Sequence, residues 1–207
     1  MLKRNSSRRE AFREKLEKAS AVRAKVLDEV KFIRSWAQNP LRTGAVAPSG
    51  PELAAKMASF LTPRPHSRVV ELGPGTGSFT RELHDRLPED CKVLVIELDS
   101  GYVSRLQEQY GDRFEIVQAS AHELDDLVNE RGWPKVDLIV SGLPFTLPPE
   151  IRTSLWQVLQ GRTDQGTTYR WFTYMPPIMK WYYRQFNMSL VRRVWANLPP
   201  MWIYSVN

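Results

Sequence analysis

Val69-Val70-Glu71-Leu72-Gly73-Pro74-Gly75-Thr76-Gly77-Ser78 is the stretch on which the reading of this chain turns. Arg68 to Leu72 has the β-branched, apolar composition of a short buried strand. Three glycines follow at alternate positions. Glycine there permits a positive φ and lets a ligand approach the backbone closely. Pro74 stiffens the turn, and Thr76 or Ser78 is placed to cap a helix over residues 79–87. Strand, glycine turn and helix N-terminus together form the nucleotide-binding corner of a doubly wound α/β fold.

The spacing selects the nucleotide. A dinucleotide site carries G-x-G-x-x-G, with the pyrophosphate on the helix N-terminus. Here the order is G-x-G-x-G, and Glu71 stands two residues before the first glycine. A carboxylate at that point repels a pyrophosphate and suits a cation bearing an ammonium and a sulfonium. Val93-Leu94-Val95-Ile96-Glu97 is a second apolar strand ending in an acid. Glu97 lies twenty residues beyond Gly77, the usual place for a carboxylate on ribose hydroxyls. The pair resembles motifs I and post-I of S-adenosylmethionine-dependent methyltransferases. That resemblance implies S-adenosyl-L-methionine as cofactor and S-adenosyl-L-homocysteine as product. The alternative is a glycine turn that holds no ligand.

With 207 residues, 42% hydrophobic and 25% charged, the chain has the size and composition of one soluble globular domain with a full core. The single cysteine, Cys91, excludes an internal disulfide and fits a reducing compartment. His66, His84 and His122 are scattered, so no metal site is readable. No apolar run approaches the roughly 20 residues that span a bilayer, and the charged N-terminus lacks the apolar core of a signal peptide. The net charge of +6 is unevenly placed. Residues 1–35 hold eleven Lys or Arg against five Asp or Glu, and the remainder sums to zero. An anionic partner for the N-terminal segment follows.

Residues 8–36 contain no Gly or Pro and read as one long helix. Phe12, Leu16, Ala19, Val26, Val30 and Ile33 recur at three- and four-residue steps, while Arg8, Arg9, Arg13, Lys15 and Lys18 dominate the other faces. A basic, amphipathic, weakly hydrophobic helix suits a membrane interface, and residues 1–22 are assigned to it. Phe32, Ile33 and Trp36 form a bulky cluster that suits packing on the domain. The expected division is therefore an N-terminal helix, 1–36, and a catalytic domain, 37–207. An ordinary helix packed on the domain, with its charges merely solvated, is the other reading.

Asn39 to Pro51 is a loop of turn formers and small residues able to fold over a ligand. A helix from Pro51 to Phe60 precedes the first strand. The middle then alternates: helix 79–87, strand 92–97, helix 100–110, strand Phe114–Gln118, helix Leu124–Asn129, strand Val136–Val140, helix Glu150–Leu159, strand Tyr169–Tyr174. Such alternation implies a mostly parallel sheet. Ser189–Trp195 and Met201–Val206, joined by Asn197-Leu198-Pro199-Pro200, read as a hairpin, so one strand must be reversed. The fold class is α/β: a Rossmann-like, seven-stranded, mostly parallel sheet with an antiparallel C-terminal hairpin, as in class I methyltransferases.

Ser141-Gly142-Leu143-Pro144-Phe145 follows the fourth strand, where open α/β sheets bind ligands. It resembles the Asn-Leu-Pro-Tyr motif of the ribosomal RNA adenine dimethyltransferases, whose Asn accepts from the adenine amine. Gly142 stands at the Asn position, so only peptide carbonyls of Ser141 or Gly142 can orient an amine. Phe145 keeps the aromatic ring. Across most of its length the chain resembles the bacterial phospholipid N-methyltransferases, which convert phosphatidylethanolamine to phosphatidylcholine. The likeness rests on the basic N-terminal helix, Phe32-Ile33-Arg34-Ser35-Trp36, Thr43 to Pro51, Glu71 to Gly77, Ser141 to Phe145 and Arg192 to Pro200.

That resemblance implies cofactor contacts from Thr43, Gly44, Glu71, Gly73, Gly75, Thr76, Gly77, Glu97, Leu98, Ser120 and Ala121. Related enzymes often carry Gly-Asp-Ala where this chain has Gln118-Ala119-Ser120-Ala121, so Ser120 replaces the adenine-binding acid. Ser141, Gly142, Leu143 and Phe145 are the expected catalytic stretch. Trp36, Tyr174, Tyr183 and Arg184 are the expected lipid contacts, with Arg184 on the phosphate. Arg8, Arg9, Phe12, Arg13, Lys15 and Leu16 are the expected membrane contacts. The reading is of a cytoplasmic enzyme, peripheral on the inner face of the cytoplasmic membrane, that methylates a phospholipid amine. RNA adenine dimethylation is the runner-up, with Gly142 and a near-neutral body against it. A non-catalytic membrane-binding module is a third reading, opposed by the intact glycine and acid set. The oligomeric state is not readable.

Overall fold

The computed structural model of the protein describes residues 64, 66–143, 147–173, 183–184, 186–194 and 201–206. All of them lie within one compact unit, Pro40–Asn207. The N-terminal helix, the 36/37 boundary, the Asn39–Pro51 loop and the Pro51–Phe60 helix lie outside the described residues.

Strand β1 (Arg68–Leu72) leads into helix α1 (Ser78–Arg86), and β2 (Lys92–Glu97) into α2 (Ser100–Tyr110). Strand β3 (Glu115–Gln118) is followed by a 3-10 turn (Ala121–Glu123) and α3 (Leu124–Glu130). Strand β4 (Leu138–Ser141) precedes α4 (Pro149–Asp164), and β5 (Thr168–Thr173), β6 (Ser189–Val194) and β7 (Met201–Val206) complete the sheet. Its order is β3-β2-β1-β4-β5-β7-β6. Strands β1 to β5 pair in parallel, whereas β7 runs antiparallel to both neighbours. The expected single reversed strand is therefore β7.

Alternation along the strands divides the core between the two faces. Val69, Val93, Val95 and Val140 face Leu83, Leu87, Val103 and Leu106 of the α1/α2 layer. Val70, Leu72, Ile96, Ile139, Tyr169 and Trp171 face Leu124, Val128, Leu155 and Leu159 of the α3/α4 layer. The strand order reverses between β1 and β4, and ligands of open α/β sheets bind beyond the carboxyl ends at such a point.

Most element bounds lie within one residue of expectation; the fourth strand, the helix after it and the cap of the first helix differ more. The fourth strand starts at Leu138, because Asp137 is occupied at the start of β1: its carboxylate accepts the Arg68 N–H at 2.8 Å and its own N–H donates to the Arg68 carbonyl. Helix α4 continues through Gly161 to Asp164, since buried Arg162 donates to Asp125 at 2.6 Å and ties the last turn to α3. Helix α1 has Gly77 as its N-cap, with no side-chain cap from Thr76 or Ser78; those two hydroxyls lie 3.3 Å apart.

Candidate active site

Gly73 leaves β1 at φ +64°, a region costly for residues with a Cβ. Its N–H donates to the Ile96 carbonyl at 3.0 Å, so the turn is pinned to β2 as soon as it begins. A Cβ on Gly73 would lie 2.6 Å from Leu143 Cδ2. Gly75 differs: a Cβ there would meet nothing within 4 Å. The turn is thus packed on the Leu143 side and open at its crest, which leaves a cradle for a ligand.

Glu97 ends β2 and is buried, and its carboxylate accepts three peptide N–H groups, which leaves acceptor capacity for a ligand hydroxyl. One oxygen accepts the N–H groups of Leu98 at 2.8 Å and Asp99 at 2.9 Å. The other accepts the Gly75 N–H at 3.1 Å. It therefore holds the glycine turn over the end of the second strand. Burial raises its pKa, and these three peptide donors oppose the rise. Asp99, also buried, caps α2 by accepting from Gly101 at 2.8 Å and Tyr102 at 3.3 Å. Asp99-Ser100 ahead of a helical run is a readable capping signal that the sequence reading passed over.

Glu71 points to the α1/α2 face, flanked across the sheet by Val95 and Val140. It is 2% exposed, and its Oε2 has no hydrogen-bond partner. Burial pushes its pKa up to about 8, with the Thr80 hydroxyl opposing and the Glu97 charge adding. Among the described residues nothing cationic faces Glu71, so burial favours its protonated form. An orphaned carboxyl oxygen below an open glycine crest fits a cationic cofactor.

The chain leaves β4 over the same turn. Gly142 N–H donates to the Leu72 carbonyl at 2.9 Å, and a Cβ on Gly142 would lie 2.7 Å from the Gly73 carbonyl oxygen. Two glycines from distant segments therefore cross with no room for a side chain on either. Ser141 is buried, and its hydroxyl accepts the Leu143 N–H at 3.3 Å.

Four adjacent strands thus bring the described cofactor and catalytic candidates to one edge. Glu71 to Gly77 lie at the end of β1 and in the turn after it, Glu97 ends β2 with Leu98 following, Ser120 and Ala121 come after β3, and Ser141 ends β4 with Gly142 and Leu143 following. Ser120 is turned inward. Its hydroxyl accepts the Glu123 N–H in a reciprocal cap and pairs with His122 Nδ1 at 2.8 Å, so adenine would compete with these partners. Tyr183 is 8% exposed and stacks on Trp171 at 4.7 Å, which makes it part of the aromatic core rather than an open phosphate contact. Arg184 is exposed, in a turn rather than on a helix. Trp36, Thr43, Gly44, Phe145 and Tyr174 lie outside the described residues, as do Arg8, Arg9, Phe12, Arg13, Lys15 and Leu16.

The ribosomal RNA adenine dimethylase family matches residues 50–127, the stretch that holds the glycine turn and Glu97. An ornithine lipid N-methyltransferase from Singulisphaera acidiphila is 31% identical over 178 residues, covering 84% of this chain and 92% of that protein. The chain belongs to that family of lipid N-methyltransferases. The relation to the RNA enzymes is more distant and partial. Ribosomal RNA small subunit methyltransferase A of Cupriavidus metallidurans is 37% identical over 91 residues, which is 44% of this chain and 31% of that protein. TrmN from Thermus thermophilus superposes with a TM-score of 0.56 at 19% identity, covering 82% of this chain and 53% of that one, and shows the shared fold. This lipid N-methyltransferase family member is an S-adenosylmethionine-dependent methyltransferase, and its cradle fits that cofactor.

Glu97→Ala removes one acceptor from three peptide N–H groups. Leaving a buried donor unpaired costs about 1–3 kcal/mol each, so cofactor affinity is expected to fall by about 100-fold or more. Calorimetric titration with S-adenosylhomocysteine checks this; affinity within threefold of wild type would remove Glu97 from the site.

Proposed function

We propose that this enzyme methylates the primary amine of a membrane phospholipid, phosphatidylethanolamine, stepwise towards phosphatidylcholine. The observation that supports the reading is the crossing of Gly142 over Gly73, which leaves no room at that position for the amide side chain an adenine-specific site needs. S-adenosylmethionine, held by the glycine turn and Glu97, supplies an activated methyl group on sulfur.

The chain's own task is to present a neutral amine to that methyl group. A primary amine resembles Lys, with a reference pKa of about 10.4. Removal from water lowers that value, because the charged form loses its hydration. The carbonyls of Ser141 and Gly142 are the groups proposed to orient its N–H bonds. Alignment of the reacting atoms supplies much of the rate, since effective molarities of about 10⁵ M or more are reached when geometry is fixed. Arg184 is proposed as the phosphate contact, and Phe145 and Tyr174 as ring faces for the growing cation, worth roughly 0.5–2 kcal/mol each.

The basic amphipathic segment at the N-terminus is proposed to lie in the inner leaflet of the cytoplasmic membrane, through Arg8, Arg9, Arg13 and Lys15 with Phe12 and Leu16. Among the described residues no helix is long and apolar enough to cross a membrane. A second substrate reading, ornithine lipid, is favoured by the relative that spans most of the chain. Both lipids offer a primary amine near an anionic group.

Incubation with labelled cofactor and vesicles of phosphatidylethanolamine, vesicles of ornithine lipid, or ribosomal RNA separates these readings. Sequential mono-, di- and trimethylated phosphatidylethanolamine on a thin-layer plate is the expected result. Label on ornithine lipid alone selects the second substrate, and label on RNA adenine overturns both.

A further inference from the structure

The zero net charge of residues 36–207 conceals a separation. Residues 165–207 hold five Lys or Arg and no Asp or Glu, so the basic excess expected only at the N-terminus has a second locus. The same 43 residues hold 11 of the 22 aromatic side chains of the chain. They build β5, β7 and β6, one end of the sheet.

The strand registers place part of this surface. Strand β5 is parallel to β4, so Thr173 lies at the carboxyl edge that carries Gly142. Thr173 pairs with Trp202 of β7, and Trp202 pairs with Arg193 of β6. Arg193 and Trp202 therefore stand at the catalytic edge, Trp202 two strand positions from β4 and Arg193 three, or about 10 and 14 Å at the usual spacing.

A bulge between Leu190 and Arg192 changes which face the β6 side chains take. Arg193 and Leu190 share a face with Trp202 and Tyr204, whereas Arg192, opposite Ile203, takes the other face. Two cations thus straddle the outermost strand. Leu190, 42% exposed, is the large apolar side chain left in solvent among the described residues. A positive surface with an exposed leucine and a tryptophan at its margin is complementary to an anionic bilayer, whose headgroup zone takes cations and whose boundary takes aromatic and aliphatic side chains.

We propose that the β6–β7 end of the catalytic domain is a membrane-docking rim for an anionic phospholipid surface. It lies in a different stretch of the sequence from the N-terminal segment and is aligned with the edge that holds the site. The proposal rests on the lipid reading above, because docking at this edge brings a headgroup to Gly142 without extracting its tails.

The test uses the full chain and Arg192→Glu/Arg193→Glu. Each cation near an anionic leaflet contributes about 1 kcal/mol, so the double reversal should weaken partition onto phosphatidylglycerol-rich vesicles by about tenfold or more. Heat of binding to S-adenosylhomocysteine should stay at the wild-type value, as should methylation of a short-chain, water-soluble phosphatidylethanolamine. Unchanged vesicle partition overturns the rim. Loss of RNA binding with vesicle binding intact also overturns it and assigns the arginines to a nucleic acid. If the reversal impairs folding, Arg192→Gln/Arg193→Gln is the second variant, with a partial loss expected and no loss overturning the proposal. Wild-type protein that partitions through these arginines yet methylates no lipid amine defeats the substrate reading and leaves the docking surface standing.

Discussion

Gly142→Asn, which inserts the amide found at this position in the RNA adenine enzymes, is expected to lower kcat/KM on lipid by about 100-fold or more. Its Cβ would lie 2.7 Å from the Gly73 carbonyl oxygen, a backbone atom that no side-chain rotation can move aside. Overpacking of this kind costs about 1–3 kcal/mol and shifts the backbone. Here the backbone that shifts is the cofactor turn, already held on its other side by Ile96 and Glu97. A displacement near 1 Å from the productive geometry costs about 10²-fold in rate. Gly142→Ala carries the same Cβ without the amide, so it should lose nearly as much. Steady-state kinetics with labelled cofactor, beside calorimetry for cofactor affinity, separates the turn from the chemistry. An Asn variant that keeps lipid activity and gains activity on RNA adenine would show that the crossing does not decide the substrate.

Cofactor binding is expected to strengthen as pH rises towards about 8, by up to tenfold per pH unit, and to release a proton. Glu71 is the group responsible, its pKa raised by burial to about 8. The groups facing it are the Thr80 hydroxyl of α1 and the Glu97 carboxylate at the end of β2, with Tyr110 of α2 also sensing its charge and Val95 and Val140 alongside. None of these described groups is a cation, so a positively charged cofactor is the partner expected to favour the ionised form.

The sign for stability is opposite. An acid whose folded pKa exceeds its ordinary value of 4.5 binds its proton more tightly when folded. Its contribution is complete below pH 4.5 and is lost as pH rises to about 8. The ligand-free protein should lose on the order of a few kcal/mol over that window from this group, and S-adenosylhomocysteine or S-adenosylmethionine should restore part of it. Glu71→Gln should flatten the profile and weaken binding of the cationic cofactor more than of its neutral product. Thermal unfolding across pH, and calorimetry in two buffers of different ionisation enthalpy, read these effects. Identical pH profiles for wild type and Glu71→Gln would assign the proton elsewhere.

Sequence alone determined whatever depends on local periodicity. The β-branched runs at Val69, Val93 and Ile139, the glycine turn and the acid ending β2 are each legible within ten residues. Their recurrence was enough for the alternating architecture, while the cofactor came from the resemblance of the turn and its acids to methyltransferase motifs and the single reversed strand from the hairpin read at Asn197 to Pro200. Sequence did not say which strand of the terminal hairpin lies beside β5. Packing decides that: Ile203, Tyr204 and Val206 are buried and occupy the interior place, while β6, with Leu190, Arg192 and Arg193 in solvent, takes the edge. The raised pKa of Glu71 is not legible locally for the same reason, because a carboxylate's ionisation depends on neighbours such as Val95 and Val140 that are remote along the chain. Gly142 was visible as a missing acceptor, but its need to be glycine is set by the Gly73 carbonyl 69 positions earlier. Only the tertiary structure brings those two peptides within contact, and contact between remote segments has no period to read.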